Sequence, residues 1–204
     1  MRKINKVCVY AASSPYVDEK YFAATESLAN SLVDNNVTVV YGGGAVGLMG
    51  HLADTVVARE GRIIGIMPNF MKKVELNHKA VTEFIFVGDM HERKKRFLEE
   101  VNGVIALPGG CGTFEELLEV ITLKRLGLFM EPIIIYNING YYDPLIQMLE
   151  KSIEEKFLKP KHRMMWTVLN EGDDVMEALQ NAPEWTEELV NLKGYANLEN
   201  KKRP

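Results

Sequence analysis

Residues 104–118 read Val-Ile-Ala-Leu-Pro-Gly-Gly-Cys-Gly-Thr-Phe-Glu-Glu-Leu-Leu, and this segment decides the fold. Its apolar beginning is typical of a buried parallel strand. A turn with three glycines in four residues follows at 109–112, and apolar residues then recur at helical spacing from Leu117 to Ile121. A strand, a glycine turn and a helix together favour phosphate binding. Glycines allow close approach of the backbone, and the first N–H groups of a helix point at an anion.

Two carboxylates, Glu115 and Glu116, stand at the start of this helix, where a phosphate would also bind. One carboxylate there suits the helix dipole, but two beside an anion would repel it. We therefore expect Glu115 to turn outward or to cap the helix, and Glu116 to have a chemical role. Thr113 can add a hydroxyl donor to the backbone N–H groups.

The composition of the 204-residue chain, with 47% hydrophobic residues and a net charge of −4, predicts one globular domain over residues 1–204. No apolar run approaches the length of a membrane span, and the N-terminus lacks a signal-peptide core. We therefore expect a cytoplasmic protein that binds no membrane. Mild acidity argues against nucleic-acid binding. The two cysteines, Cys8 and Cys111, give neither a disulfide framework nor a zinc spacing, and we expect no metal.

Segments with strand and helix patterns alternate along the chain, which predicts an α/β fold: a Rossmann-like, doubly wound parallel sheet with helices on both faces. Ligands bind such sheets beyond the C-terminal strand ends, where the strand order reverses. Three of these ends carry small residues, at 12–14, 42–44 and 109–112, and we expect them to converge. The predicted strands are 4–10, 37–41, 62–67, 83–87, 103–107, 132–136 and 164–169; the predicted helices include 18–33, a segment ending near 59, 90–101, 142–157 and 173–179.

The glycine-rich segment 42–50 contains G-x-G-x-x-G at Gly42, Gly44 and Gly47, a pattern of dinucleotide sites and also of simple strand-to-helix turns. A dinucleotide site would need an acidic residue about 20 residues later, near Arg62, and the sequence has none at that strand end. The lysine of a Walker phosphate-binding loop is also missing. A single phosphate therefore fits this chain better than a dinucleotide.

The basic segment 90–96 opens a helix directly after a strand end, so its first turn faces the same edge of the sheet. Such a run is usually a solvated face, but its four cations oppose the helix macrodipole, which suggests an anionic partner for at least one. An arginine can bind a phosphate or a carboxylate with two hydrogen bonds. His91 could be a general acid or a cap donor. Cys111 could be a nucleophile, because a helix N-terminus favours a thiolate, or simply a small loop residue.

Several segments together resemble the Lonely Guy (LOG) family, whose members have long been labelled possible lysine decarboxylases. Residues 108–116 match the family's P-G-G-x-G-T-x-x-E signature, residues 42–50 resemble G-G-G-x-x-G-L-M-G, and residues 90–94 resemble M-H-x-R-K. Residues 140–143 resemble a further family segment, and the matches follow the family order. The chain differs at 11–14, where many members have C-G-S-S and this sequence reads A-A-S-S.

The resemblance implies a homodimer that hydrolyses the N-glycosidic bond of a purine, cytokinin-type nucleoside 5′-monophosphate to free base and ribose 5-phosphate, without a cofactor. Arg93 and Glu116 match positions regarded as catalytic. No lysine lies in a recognisable pyridoxal phosphate setting, so the decarboxylase label lacks chemical support. The resemblance also implies substrate contacts at Glu75, Arg93, Lys94, Gly109, Gly110, Cys111, Gly112, Thr113, Phe114, Glu115 and Thr122, with Thr122 or its neighbours near the second subunit. At the other two glycine-rich or small-residue strand ends and the helix that follows, we expect substrate contacts at Ser13, Gly43, Gly44 and Met49.

Glycosidic cleavage passes through an oxocarbenium-like state that is positive at C1′. A carboxylate beside C1′ stabilises this charge more than it stabilises the neutral ground state, and it can accept a proton from the attacking water. We assign this role to Glu116, with the phosphate held at residues 109–113. Arg93 could orient Glu116 through an ion pair, or it could bind substrate oxygens.

Two other functions fit the same pattern. A binding protein of this fold, such as a molybdenum-cofactor carrier, would hold a phosphorylated ligand without turnover, although the presence of both Arg93 and Glu116 favours an enzyme. A nucleosidase that acts on AMP or other monophosphates for salvage would need the same residues, because tolerance of a prenyl group depends on the shape of the pocket.

Overall fold

The computed structural model describes residues 2–73 and 76–190 of the chain. Strands and helices alternate along these residues, and most of the strands are short apolar runs, as in sheets buried on both faces. The strands are β1 (Lys6–Tyr10), β2 (Thr38–Tyr41), β3 (Ile63–Pro68), β4 (Glu83–Val87), β5 (Val104–Ala106), β6 (Ile133–Tyr136) and β7 (Thr167–Leu169). The helices are α1 (Glu19–Asp34), α2 (Gly47–Ala58), α3 (Met90–Phe97), α4 (Cys111–Arg125), α5 (Asp143–Glu154), α6 (Val175–Asn181) and α7 (Glu187–Val190).

The strands form one parallel sheet in the order β4-β3-β2-β1-β5-β6-β7, which confirms the predicted doubly wound fold. Val9 of β1 pairs with Tyr41 of β2 on one side and with Ile105 of β5 on the other. The chain builds the sheet outward from β1 to β4 and then returns to β5. The strand order therefore reverses between β1 and β5, where the loops after both strands diverge and leave a crevice.

Each face of the sheet has its own hydrophobic core, because successive strand residues point to opposite faces. Val7 and Val9 of β1 belong to the core beneath α1, α2 and α6, whereas Cys8 and Tyr10 belong to the core beneath α3, α4 and α5. Among the residues that the structure describes, no helix has the length and apolar character that a membrane span requires.

The first turn of α3 is fixed by two side-chain hydrogen bonds. Asp89 is the N-cap, and its carboxylate accepts from the Glu92 backbone N–H at 2.8 Å, a bond that lowers the pKa of Asp89. The Glu92 carboxylate reaches back to the Gly88 N–H at 2.8 Å. These caps set the direction in which α3 leaves β4, and so place Arg93 over the C-terminal ends of the central strands.

The structure corrects several predicted boundaries. The helix predicted to reach residue 101 ends at Phe97, and the strand predicted to begin at residue 164 begins at Thr167, after a 3₁₀ segment at Pro160–Met165. Between the strands predicted at 62–67 and 83–87, where no regular element was predicted, another 3₁₀ segment forms at Asn69–Lys73. Helix α7 was not predicted, because four residues are too few to establish a helical period.

Candidate active site

A cavity of about 450 Å³ lies at the reversal of strand order, over the C-terminal ends of β1 and β5. Two of the three predicted small-residue strand ends contribute several residues to it, and the third contributes Gly42. The lining residues are Val9, Tyr10, Ala11, Ala12, Ser13, Ser14, Gly42, Met49, Met71, Met90, Arg93, Gly110, Cys111, Gly112, Thr113, Glu115 and Glu116.

The N-terminus of α4 opens into this cavity without a side-chain cap. Gly110 is the N-cap residue, and its carbonyl accepts the first helical hydrogen bond, from the Phe114 N–H at 3.0 Å. The N–H groups at the start of a helix have no partner within the helix, so those of Cys111, Gly112 and Thr113 can bind an anion.

Gly109 is needed because the turn packs directly on the first helical residues. A Cβ atom at Gly109 would lie 2.1 Å from Oγ1 of Thr113, closer than any real contact. At Gly110 and Gly112 an added Cβ would meet nothing within 4 Å, so these two glycines leave open space at the cavity.

Two tyrosines just before α5 donate hydrogen bonds to backbone carbonyls of the segment before α4. The Tyr141 hydroxyl donates to Gly109 O at 2.5 Å, and the Tyr142 hydroxyl donates to Leu107 O at 2.7 Å. The Asn137 side chain in turn accepts from the Tyr142 N–H at 2.7 Å. Burial raises the pKa of Tyr142, which keeps its hydroxyl protonated as a donor. With the carbonyls held away from the cavity, the N–H groups of the turn and helix are left to face it.

Arg93 of α3 is buried, and its guanidinium is fixed by two backbone carbonyls. Its Nε donates to Ile66 O at 3.1 Å, and one Nη donates to Gly42 O at 3.1 Å. Among the described residues, the other Nη meets the sulfurs of Met71 and Met90, at 3.8 and 3.9 Å, and sulfur is a weak acceptor. The N–H groups of that nitrogen are therefore the ones available to a substrate oxygen.

The approach of Arg93 explains the first glycine of the 42–50 segment. A Cβ atom at Gly42 would lie 2.5 Å from an Nη of Arg93 and 2.8 Å from the Met49 sulfur. Only a glycine at position 42 leaves room for the guanidinium beside the strand end.

Glu116 lies one turn into α4 and lines the cavity. Desolvation of its partly buried side chain raises the pKa of Glu116 to about 7; the positive charge of Arg93 opposes this rise, and the negative charge of Glu115 adds to it. Within residues 2–73 and 76–190, no ion pair joins Glu116 to Arg93 or to Lys94. Its carboxylate is therefore able to change protonation state near neutral pH while facing the cavity.

Lys94, next to Arg93 on α3, binds two other carboxylates of α4. Its Nζ lies 2.5 Å from Glu115 and 3.1 Å from Glu119. The hydrogen bond with Glu115 is the main cause of a raised pKa of Lys94. The Glu115 side chain is about half exposed and paired with Lys94, and it also lines the cavity, so its lack of a chemical role stays a prediction.

The structure places the predicted site residues in three groups. Those that line the cavity are Ser13, Met49, Arg93, Gly110, Cys111, Gly112, Thr113, Glu115 and Glu116. Those that do not line it are Gly43, Gly44, Lys94, Gly109, Phe114 and Thr122. Glu75 lies outside the described residues, and its substrate contact stays a prediction.

Gly43 and Gly44 bind the chain that follows the 3₁₀ segment instead of lining the cavity. The Gly43 carbonyl accepts from the His78 N–H at 3.0 Å, and Gly44 forms an antiparallel bridge with Asn77. The His78 ring lies 2.9 Å from Asp54 of α2. These bonds fasten residues 76–78 to the turn after β2.

Outside the predicted strand ends and site residues, the cavity has five lining residues that the sequence did not single out: Val9, Tyr10, Ala11, Met71 and Met90. Tyr10 ends the strand beside the strand-order reversal, and Met90 begins the 90–94 motif, so both could have been inferred. No pattern singled out Met71, because the loop that carries it has no period. The described residues contain no group of three or more His, Cys, Asp or Glu side chains that could hold a metal ion.

The chain is similar in sequence to a known family. Residues 49–179 match the family model described as "Possible lysine decarboxylase". The chain is 38% identical over 194 residues to cytokinin riboside 5′-monophosphate phosphoribohydrolase LOG3 of Arabidopsis thaliana, which covers 95% of this chain and 84% of that protein. It is also 38% identical over 178 residues to the probable cytokinin riboside 5′-monophosphate phosphoribohydrolase LOGL5 of Oryza sativa subsp. japonica, covering 87% of this chain and 72% of that protein.

Solved structures share the fold. The molybdenum cofactor carrier protein of Chlamydomonas reinhardtii aligns with a TM-score of 0.65 and 16% identity, over 88% of this chain and 98% of that one. At this low identity the likeness establishes the architecture alone.

Proposed function

This chain belongs to the LOG family, whose model is described as possible lysine decarboxylase, and we propose that it is a nucleoside 5′-monophosphate phosphoribohydrolase. It hydrolyses the N-glycosidic bond of purine nucleotides of the cytokinin type and releases the free base and ribose 5-phosphate. The observation that carries the proposal is the position of Glu116. Its carboxylate, with a pKa near 7, lies one helical turn below an uncapped helix N-terminus in the same cavity.

The phosphate binds at the start of α4, on the N–H groups of residues 111–113 and the Thr113 hydroxyl. The ribose then extends toward Glu116, one turn deeper. As the C1′–N bond lengthens, the ionised Glu116 stabilises the positive charge at C1′. Water attacks C1′ and gives a proton to Glu116, while the base leaves with the bonding electron pair and takes up a proton from solvent. Glu116 then returns its proton to solvent, which restores the ionised carboxylate. The net reaction consumes one water.

Arg93 has the geometry of a substrate-binding group rather than of an ion-pair partner for Glu116. Two backbone carbonyls fix its guanidinium, and its remaining donors face the sulfurs of Met71 and Met90 at the cavity wall. We assign those donors to oxygens of the ribose or to the departing base. This favours the second of the two roles that the sequence left open.

Two related functions remain as alternatives. A nucleosidase that uses AMP for salvage would have the same catalytic groups, and a carrier of phosphorylated ligands would have the same fold. The carrier is disfavoured because Glu116 and Arg93 both line the cavity, which simple phosphate binding does not require.

We also propose a cytoplasmic homodimer whose interface includes the outer face of α4. Thr122 is exposed there, with its hydroxyl bonded to Leu118 O at 2.8 Å, and Leu118 itself is 41% exposed. Leu128, just after the helix, is 72% exposed. Apolar side chains in this position are typical of surfaces that a partner covers.

The deciding experiment compares kcat/KM for AMP, adenosine and isopentenyladenosine 5′-monophosphate, with the free base detected by chromatography. Release of base from either nucleotide supports an enzyme, and the ratio of the two values separates cytokinin activation from AMP salvage. Adenosine is the control for phosphate anchoring and should be a far poorer substrate than AMP. Binding of the nucleotides without any release of base would contradict the proposal and favour a carrier.

A further inference from the structure

Lys94 is placed between two acidic side chains of α4, on the face of α3 that packs against that helix. Its ammonium contacts Glu115 at 2.5 Å and Glu119 at 3.1 Å, and only 14% of its side chain is exposed. Lys94 does not line the cavity, although its neighbour Arg93 does. An ammonium has three donors, and two of them are directed at these carboxylates.

Glu116 lies between Glu115 and Glu119 along α4. Lys94 forms ion pairs with these two neighbours and not with Glu116. Arg93 cannot neutralise the flanking carboxylates, since its guanidinium is fixed on Ile66 O and Gly42 O. From this geometry, and resting on the proposed function, we propose that Lys94 is a positioning residue. It draws Glu115 and Glu119 toward α3 and neutralises them. Glu115 also lines the cavity but is paired with the ammonium, so Glu116 is left as the reacting carboxylate.

This role predicts a specific electrostatic effect on Glu116. Lys94 lowers the pKa of Glu116, whereas Glu115 and Glu119 raise it. Without Lys94 the two flanking carboxylates lose their counter-charge and act on Glu116 at full strength. The titratable or charged groups around Glu116 are Arg93 and Lys94 on α3, Glu115 and Glu119 on α4, Cys8 and Tyr10 on β1, and Tyr142 before α5.

The test is the pH profile of kcat/KM for Lys94→Met. We expect its acidic limb to move up by about half a unit to one unit, so that activity falls about 3- to 10-fold at pH 6 and by less than twofold at pH 9. Lys95→Met is the matched control, because Lys95 is exposed on the same helix and has no ion pair among the described residues. Lys95→Met should leave the pH profile of kcat/KM unchanged.

A second comparison separates positioning from direct substrate contact. The triple variant Lys94→Met/Glu115→Gln/Glu119→Gln removes the flanking charges as well, and it should return the acidic limb to within about 0.3 unit of its original position. If Lys94 instead binds the substrate, Lys94→Met raises KM equally at all pH values and the triple variant does not recover. That result, or an unchanged profile in Lys94→Met, would overturn the inference.

The inference also has a test that needs no turnover. The carboxyl carbon of Glu116, assigned by its loss in Glu116→Gln, can be titrated by NMR in the unliganded protein. An upward shift in Lys94→Met and its reversal in the triple variant support the positioning role even if no substrate is cleaved. Absence of the shift overturns the role even if the wild-type protein is an active hydrolase. Should Lys94→Met fold poorly, Glu115→Gln/Glu119→Gln with Lys94 intact must shift the titration downward.

Discussion

At the residue scale, Glu116 differs from its neighbours Glu115 and Glu119, because Lys94 pairs with both of those and not with Glu116. We expect Glu116→Gln to keep the shape of the side chain and remove its charge. The rate should fall by about two to four decades, the usual effect of losing one electrostatic or general-base group. Binding of ribose 5-phosphate should change little, because backbone donors of α4 hold the phosphate.

Glu115→Gln is the control and should retain most of the activity, since Glu115 is directed toward Lys94. Steady-state kinetics and calorimetric titration with ribose 5-phosphate provide the two measurements. Equal losses in both variants, or a raised KM with kcat preserved in Glu116→Gln, would move the chemistry away from Glu116.

Ionisation of Glu116 is expected to activate the protein and at the same time to lower its free energy of unfolding. Burial raises the pKa of Glu116 from 4.5 in the unfolded chain to about 7 in the folded one. The folded state therefore holds the proton longer, and stability falls as pH rises from about 4.5 to 7, by about 2–3 kcal/mol. Glu116→Gln should remove this decrease, so that it stabilises the protein at pH 8 but not at pH 4.5. Urea denaturation at the two pH values measures the difference, and an equal effect at both would contradict it.

At the element scale, the turn before α4 depends on the packing of Gly109 against Thr113. We expect Gly109→Ala to lower the free energy of unfolding by about 1–3 kcal/mol, because its Cβ would lie 2.1 Å from the Thr113 hydroxyl oxygen. Gly112→Ala is the matched control: its Cβ meets nothing within 4 Å, and alanine favours the helix by about 0.5–1 kcal/mol. Opposite shifts in Tm are expected, and a similar loss in both variants would contradict the packing argument.

The sheet and the position of the cavity could be predicted from the sequence, whereas the exact buried face of a helix could not. The alternation of apolar strands with helical periods predicted the parallel sheet, and the three small-residue strand ends predicted the place of the cavity. The helical period of residues 142–157 would turn Met148 inward with Leu149 and Ile153, yet Met148 is 64% exposed, because it lies at the edge of the apolar stripe of α5. Periodicity gives the direction of a stripe, but its width depends on what packs against it.

The side-chain partners in the cavity could not be predicted, because they come from segments that are distant in sequence. Arg93 is bound by carbonyls that lie 27 and 51 residues away along the chain, at Ile66 and Gly42. The Lys94 contacts with Glu115 and Glu119 depend in the same way on how α3 packs against α4. A basic run and an acidic pair were visible in the sequence, but their partners were not, since pairing is a property of the packed helices.

At the scale of the whole molecule, the outer face of α4 carries the prediction of a homodimer. In light scattering we expect the protein to have twice the mass of the chain. Leu118→Asp places a charge on the proposed interface, and it should produce monomers with reduced kcat/KM if the partner completes the site. Because Leu118 is 41% exposed, the substitution should leave the fold of the chain intact, which circular dichroism can verify.

Met148→Asp is the control: it adds the same charge on α5, at a side chain 64% exposed, and should leave the dimer and its activity unchanged. A wild-type protein that is strictly monomeric and fully active would contradict the proposed assembly, whereas loss of dimer in both variants would place the interface elsewhere.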